Sequence, residues 1–292
     1  MKKYDITFVG HMCIDEIEPY GGERKTSPGS AVLCGAVAAK RIGKEILAIT
    51  KMNPADEWVL DALKKEDIDT IVIPAEETTY MVVEHPSENL DERVMYQKKS
   101  AGHFIPEEMP SFESTHVHCA GITDQEFTLE LMAYLKDKGY TLSNDMQSFV
   151  RQVDAQTREI SFSDVSTKKE IASYSDKLKM DIVEARILTG EEDIARAAAV
   201  IHSWGCPEII ITESKGVLAY ADGKSYYQPF TNKNSLGRTG RGDTTFGGYV
   251  SRRQEFGIED SLKFASALAS IKMESPGPFS GTLDDVLSRM AR

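Results

Sequence analysis

The sequence predicts an α/β protein, a mostly parallel sheet covered by helices with a small β-flap beside it. Three observations carry this. Apolar, β-branched runs alternate with amphipathic stretches along most of the 292 residues, the rhythm of βαβ units. Two polar-rich segments interrupt that rhythm early in the chain, and the last quarter is helical in pattern throughout.

Strands are expected over 4–9, 46–50, 71–73, 116–119, 141–143, 182–183 and 208–211. Between them, helices are expected over 31–42, 55–66, 126–138 and 193–204, where apolar residues recur on one stripe. The runs 217–220 and 225–227 flank Asp222-Gly223, a strong hairpin signal. Helices over 244–256, 260–272 and 283–290 complete the chain, Gly257 ending the first. The interruptions are 16–28, "EIEPYGGERKTSP", and the pair "TYMVVEH" and "RVMYQ" joined by the polar "PSENLDE". Together they are expected to form a flap from segments about 16–28 and 78–100. With no repeat or long linker, 1–292 reads as one domain carrying this flap.

Composition narrows the function. Hydrophobic residues at 41% fill a sizeable core, and a net charge of −12 argues against non-specific nucleic-acid binding. Cys13, Cys34, Cys119 and Cys206 are scattered, without a Cys-x-x-Cys pair, as in a reduced compartment. The N-terminal "MKKYDITFVGHMCID" has too brief an apolar run for a signal-peptide core. No apolar run approaches the roughly 18 residues of a membrane helix. A cytoplasmic location, with no nucleic-acid or membrane partner, is the expectation.

The stretch 234–249, "NSLGRTGRGDTTFGGY", is the chemical centre of the chain. A helix N-terminus leaves backbone amides unpaired and carries partial positive charge, so it suits an anion. Gly240 and Gly242 allow the backbone to approach a phosphate closely. The stretch is neither a Walker A sequence nor a dinucleotide fingerprint. Asp243 then has two readings: a helix N-cap, or a general base taking a proton from an alcohol beside an anion hole. Arg241 could donate to a phosphate or be a solvated loop side chain. His116 and His118 share one strand face without further metal ligands, so a structural role is expected. His11 and Cys13 are near enough to Asp15 to line a pocket.

The run "GRGDTTFGG" resembles the D-T-x-G-A-G-D signature of the ribokinase-like (PfkB) carbohydrate kinase family. The resemblance continues in order along nearly the whole chain. Gly10 to Asp15 looks like the first strand ending in a substrate-binding aspartate, and "GSAVLCGAVAAKRIG" (29–43) is similar to G-G-x-x-x-N-x-A…R-L-G. "DIVE" (181–184) stands where N-x-x-E is usual, and "IIITESKG" (209–216) resembles the strand and turn approaching the nucleotide. The resemblance implies a three-layer α/β/α sandwich with a β-flap lid whose closure excludes water. It implies ATP and Mg2+ as cofactors and a sugar, polyol or nucleoside as the phosphorylated partner.

It also implies roles. Asp243 would be the base, with Gly240, Arg241 and Gly242 forming the anion hole. Asp15, Gly29, Ser30, Cys34 and Arg151 would line the acceptor site. Asp181, Glu184, Thr212, Ser214, Lys215, Gly216 and Ser270 would lie around the nucleotide, Glu184 organising magnesium through water. Departures are Cys34 for asparagine, Ser30 for glycine, Asp181 for asparagine, Gly237-Arg238 for D-T, and Arg241 for alanine. "NDMQSFVR" (144–151) and "IKMESPGPF" (271–279) are similar to myo-inositol kinases and related polyol or nucleoside kinases. The alternative is a non-catalytic sensor of sugar or nucleotide on the same fold. The flap's edge makes a homodimer a candidate assembly.

Overall fold

The computed structural model describes residues 2–88 and 92–291; of the "PSENLDE" connector, 89–91 lie outside the described residues. In chain order the strands are β1 (Lys3–Val9), β2 (Cys13–Glu18), β3 (Lys25–Gly29), β4 (Ile46–Met52), β5 (Asp69–Pro74), β6 (Tyr80–Glu84), β7 (Val94–Lys99), β8 (Glu113–Cys119), β9 (Thr141–Asp145), β10 (Arg151–Val153), β11 (Ile160–Phe162), β12 (Lys177–Asp181), β13 (Glu208–Thr212), β14 (Gly216–Ala221) and β15 (Lys224–Pro229). The helices are α1 (Ala31–Arg41), α2 (Asp61–Lys65), α3 (Leu129–Asp137), α4 (Gln147–Val150), α5 (Lys168–Tyr174), α6 (Ile182–Thr189), α7 (Ile194–His202), α8 (Arg241–Arg253), α9 (Ile258–Met273) and α10 (Leu283–Met290).

Nine strands form the main sheet in the order β15-β14-β13-β12-β9-β8-β1-β4-β5. From β13 to β5 every neighbouring pair is parallel, while β14 and β15 run antiparallel at one end. Period-two alternation sorts side chains between two cores. Ile6, Phe8, Ile46 and Ala48 join α1, α8 and α9 through Val32, Phe246, Tyr249 and Leu262. Val9, Leu47 and Ile49 face the other way, toward Leu131, Ile171, Leu188 and Ile201 of α3, α5, α6 and α7. The expected three-layer sandwich is therefore present.

The flap is a second sheet, ordered β3-β2-β6-β7. Its β7 edge is partly taken within the chain: Tyr96 bridges Glu159, and the Gln97 amide donates to the Arg158 carbonyl at 2.9 Å. Among strands of the main sheet, β1 pairs with β4 on one side and β8 on the other. The chain reverses its winding there, which opens a crevice at the strands' C-terminal ends.

Two expected elements are corrected. The strand expected over 182–183 lies at 177–181 instead, and Ile182 opens α6. The cause is a capping box: Asp181 accepts the Val183 and Glu184 amides at 2.8 and 2.9 Å, and Glu184 accepts the Asp181 amide at 2.9 Å. Apolar Ile182 and Val183 therefore belong to a helix start. The helix expected over 55–66 divides into a 3-10 stretch, Pro54–Leu60, and α2, because Asp56 departs from helical angles at φ −94°, ψ 31°.

Candidate active site

Helix α8 begins at Arg241, one turn's length earlier than its apolar pattern suggests, with Gly240 as N-cap at φ 77°. A glycine cap offers no side-chain oxygen, so, apart from the Arg241 amide, which donates to the Arg238 carbonyl at 3.2 Å, the first-turn amides have no side-chain cap to occupy them. A side chain at 240 would also strike the Cys34 thiol of α1. Asp243 thus lies inside the first turn and does not cap the helix. Its Oδ1 accepts from the Lys179 ammonium at 2.8 Å, and its side chain retains 16% exposure.

Lys179 is the residue sequence reasoning missed. It projects from β12, 5% exposed at its side chain, and also donates to Asp145 Oδ2 at 2.6 Å. Lys179 and Asp145 are register partners on adjacent strands. Asp145, fully buried, turns its other oxygen to the Gln147 amide at 3.0 Å. Lys179 also underlies the anion loop: a Cβ on Gly242 would stand 3.3 Å from its Nζ.

Charge compensation separates the carboxylates. Burial alone would raise the Asp243 pKa, but the Lys179 ammonium outweighs it and holds the group below the ordinary aspartate value. Asp145 is pushed up to about 6 by burial despite Lys179. Glu184 is pushed up to about 8, first by burial and then by Asp181, with Arg151 opposing.

The Asp181–Glu184 pair sits beside these groups at the end of β12. Glu184 Oε2 serves the capping box, while its buried Oε1 has no hydrogen-bond partner and lies 3.6 Å from Arg151 Nη2. Among the described residues no group of three or more His, Cys, Asp or Glu is placed to grip a metal directly. Magnesium keeps most of its waters and takes one or two carboxylates plus phosphates, so the orphaned Oε1 fits an acceptor for a metal-bound water. Arg151, expected at the acceptor, instead stands by Glu184 with its buried Nε unpartnered.

On the expected nucleotide side, Thr212 ends β13 at 1% exposure, and Ser214 and Lys215 are exposed on the following turn. Gly216 is buried under Tyr227, whose hydroxyl would lie 2.6 Å from an added Cβ and donates to Glu213 at 2.7 Å. Ser270 is fully buried, its Oγ donating to the Ser266 carbonyl at 2.7 Å and accepting the Thr231 amide at 2.8 Å. It belongs to the packing of α9 rather than to an open surface. The loop before α8 is fastened to the same helix end: the Gly237 amide donates to the Met273 carbonyl at 2.8 Å. The buried Lys272 ammonium holds the Gly237 and Thr239 carbonyls.

Of the residues expected at the acceptor, Asp15 and Gly29 belong to the flap strands β2 and β3. Asp15 does not end the first strand; β1 stops at Val9 and Asp15 sits within β2, opposite Ser27. Its carboxylate occupies the space a side chain on Gly29 would need. Its side-chain neighbour is the Cys13 thiol, which donates at 3.2 Å. Burial pushes Asp15 up to about 6, with the Cys13 bond opposing. Ser30 caps α1 by accepting the Leu33 amide at 3.0 Å. Burial and then the Asp243 charge push the Cys34 thiol up to about 12, so it is neutral between the two aspartates. Arg241 lies over the Phe230 ring at 5.7 Å. His116 and His118 both meet Ser143 Oγ, at 2.7 and 2.9 Å, consistent with the structural role expected.

Comparison with known proteins follows the same lines. Residues 3–284 match the pfkB family carbohydrate kinases. A cytidine kinase of Thermococcus kodakarensis is 27% identical over 255 residues, covering 85% of this chain and 87% of that protein. A pyrophosphate-dependent kinase of the ribokinase family, solved with sulfate, is 29% identical with a TM-score of 0.89, covering 97% of this chain and 99% of the other. A pyrophosphate-dependent kinase of that family, in complex with a pyrophosphate analogue and myo-inositol, is 28% identical with a TM-score of 0.88 and the same coverage. The chain belongs to the PfkB family of carbohydrate kinases, with the ribokinase-like fold.

Proposed function

We propose that this kinase moves a phosphoryl group from pyrophosphate to a hydroxyl of a small polyol or nucleoside, with Asp243 as general base. The observation that carries this reading is the Asp243 carboxylate, held ionised by Lys179 in the first turn of a glycine-capped helix. Asp15 accepts hydrogen bonds from acceptor hydroxyls and orients one of them toward Asp243. Asp243 takes that hydroxyl's proton as the oxygen forms its bond to phosphorus. The bond from phosphorus to the donor's bridging oxygen breaks, and the electron pair leaves with phosphate. Amides of the Gly240–Gly242 turn bind the transferring oxygens. Glu184 and Asp181 would hold magnesium through its waters, and the ion, when bound, would neutralise donor charge. Arg151, whose Nε has no hydrogen-bond partner, would on this reading donate to a donor phosphate rather than to the acceptor.

Pyrophosphate is preferred because surfaces a nucleotide would use are covered, Gly216 by Tyr227 and Ser270 by the packing of α9. Two relatives of similar fold are pyrophosphate-dependent. ATP is the second reading, favoured by the exposed Ser214-Lys215 turn beside Thr212. A homodimer through the flap would use β3, where Lys25, Thr26 and Ser27 are exposed.

The test is 31P NMR with myo-inositol, cytidine and related polyols and nucleosides, each with magnesium pyrophosphate or magnesium ATP. A phosphomonoester formed from pyrophosphate is the expected result. Turnover with ATP alone would replace the donor, and binding without turnover across the panel would favour a non-catalytic sensor.

A further inference from the structure

We propose that Lys179 is a positioning residue for this transfer: anchored from behind by Asp145, it fixes the Asp243 carboxylate ionised and aimed into the cleft. The inference rests on Asp243 being the base, and adds a device that the signature around residue 240 does not contain.

Geometry supports it from three sides. The ammonium bridges two carboxylates at 2.6 and 2.8 Å, one fully buried and one at the cleft. Its strand position is fixed by pairing with Asp145 in register, so the amine has little freedom to wander. It also lies under Gly242, where it adds positive charge to the anion hole.

A buried lysine costs several kcal/mol of lost hydration unless its partners are well placed, and one carboxylate would balance it. A second, Asp145, gives the buried ammonium another charged partner and holds it in place. The other groups facing this cluster include Glu184 from α6, Arg151 from β10, Cys34 from α1, His118 from β8, the Lys272 ammonium from α9 on the Asp243 side and Glu126, just before α3, on the Asp145 side. Cys34 and His118 are kept neutral by burial, so Lys179 is the cation bonded directly to Asp243.

The experiment is the pH profile of kcat at saturating acceptor for wild type, Lys179→Met, Lys179→Gln and Asp145→Asn, with melting temperatures alongside. An opposite charge at this distance lowers a carboxylate pKa by roughly 1–3 units. Both neutral replacements of Lys179 should therefore move the acid limb upward by at least about one pH unit, and the lost aim of the carboxylate should separately lower the kcat plateau near neutrality by about 10-fold. Asp145→Asn should leave that limb at or below the wild-type position, because it removes a repelling charge. If Lys179→Met does not fold, the glutamine variant and Asp145→Asn decide. A limb that stays put in every folded variant while kcat falls would make the cluster merely structural and overturn the proposal. So would an upward move in Asp145→Asn. Full activity in Asp243→Asn would instead remove the base reading on which the inference rests.

Discussion

Two aspartates reach the start of α1 from different elements. Asp15 packs against Gly29, just before the helix, and the turn leading to Asp243 packs against Cys34, one turn into it. Both are largely withdrawn from solvent, yet their charge states are pushed in opposite directions. Asp15 has a thiol for a neighbour and rises to about 6. Asp243 has an ammonium and falls. The difference teaches that burial does not by itself set a carboxylate's charge; a neighbouring cation can outweigh it. An uncompensated carboxylate suits a binding role, because acceptor hydroxyls supply the hydrogen bonds it lacks. A compensated one stays ionised to lower pH, so on the proposed reading it meets the acceptor without a proton of its own.

The comparison can be broken at Asp15 first. Asp15→Asn keeps the shape and removes the charge, so the acceptor KM should rise about 10–100-fold, the worth of charged hydrogen bonds, while kcat changes far less. Steady-state kinetics over a range of acceptor concentrations would show it, and an equal loss in kcat would erase the division of labour. A smaller effect follows from pH in the wild type. The raised pKa means Asp15 is protonated below about pH 6 and ionised above it. Acceptor affinity, measured by calorimetry without donor, should strengthen as pH rises through that value. Smallest is Cys13→Ala, which removes the bond opposing protonation of Asp15. The pH midpoint of acceptor binding should move up by less than about one unit; a downward move would contradict the assigned contact.

Much of this was legible in the chain. Most of the main sheet, most of its helices and the flap followed from hydrophobic period and turn residues, because those runs were bounded by polar or glycine-rich breaks; α5 and α6 were not expected. The glycine run before Asp243 marked the start of α8, with Gly240 as its cap. Lys179 is hidden by the misplaced strand: a strand placed at 182–183 leaves "KLKMD" outside it, so a lysine inside a sheet covered on both faces goes unread. A charge in the middle of such a strand is the signal that would have found it. The capping box that displaced the strand accounts for Asp181 as well, since an aspartate at that position caps α6. Ser270 and Arg151 depended on long-range packing, against Thr231 and Glu184, that spacing along the chain does not encode.

The central claim is that Asp243 performs the proton transfer and not the binding. The direct measurement is single-turnover phosphoryl transfer by wild type and Asp243→Asn, with acceptor affinity determined on the same samples. The account predicts a loss of roughly 100- to 10,000-fold in the transfer rate, the range for general-base removal, with acceptor affinity within a few-fold of wild type. A variant that transfers at the wild-type rate, or one whose loss is entirely in acceptor affinity, would contradict it.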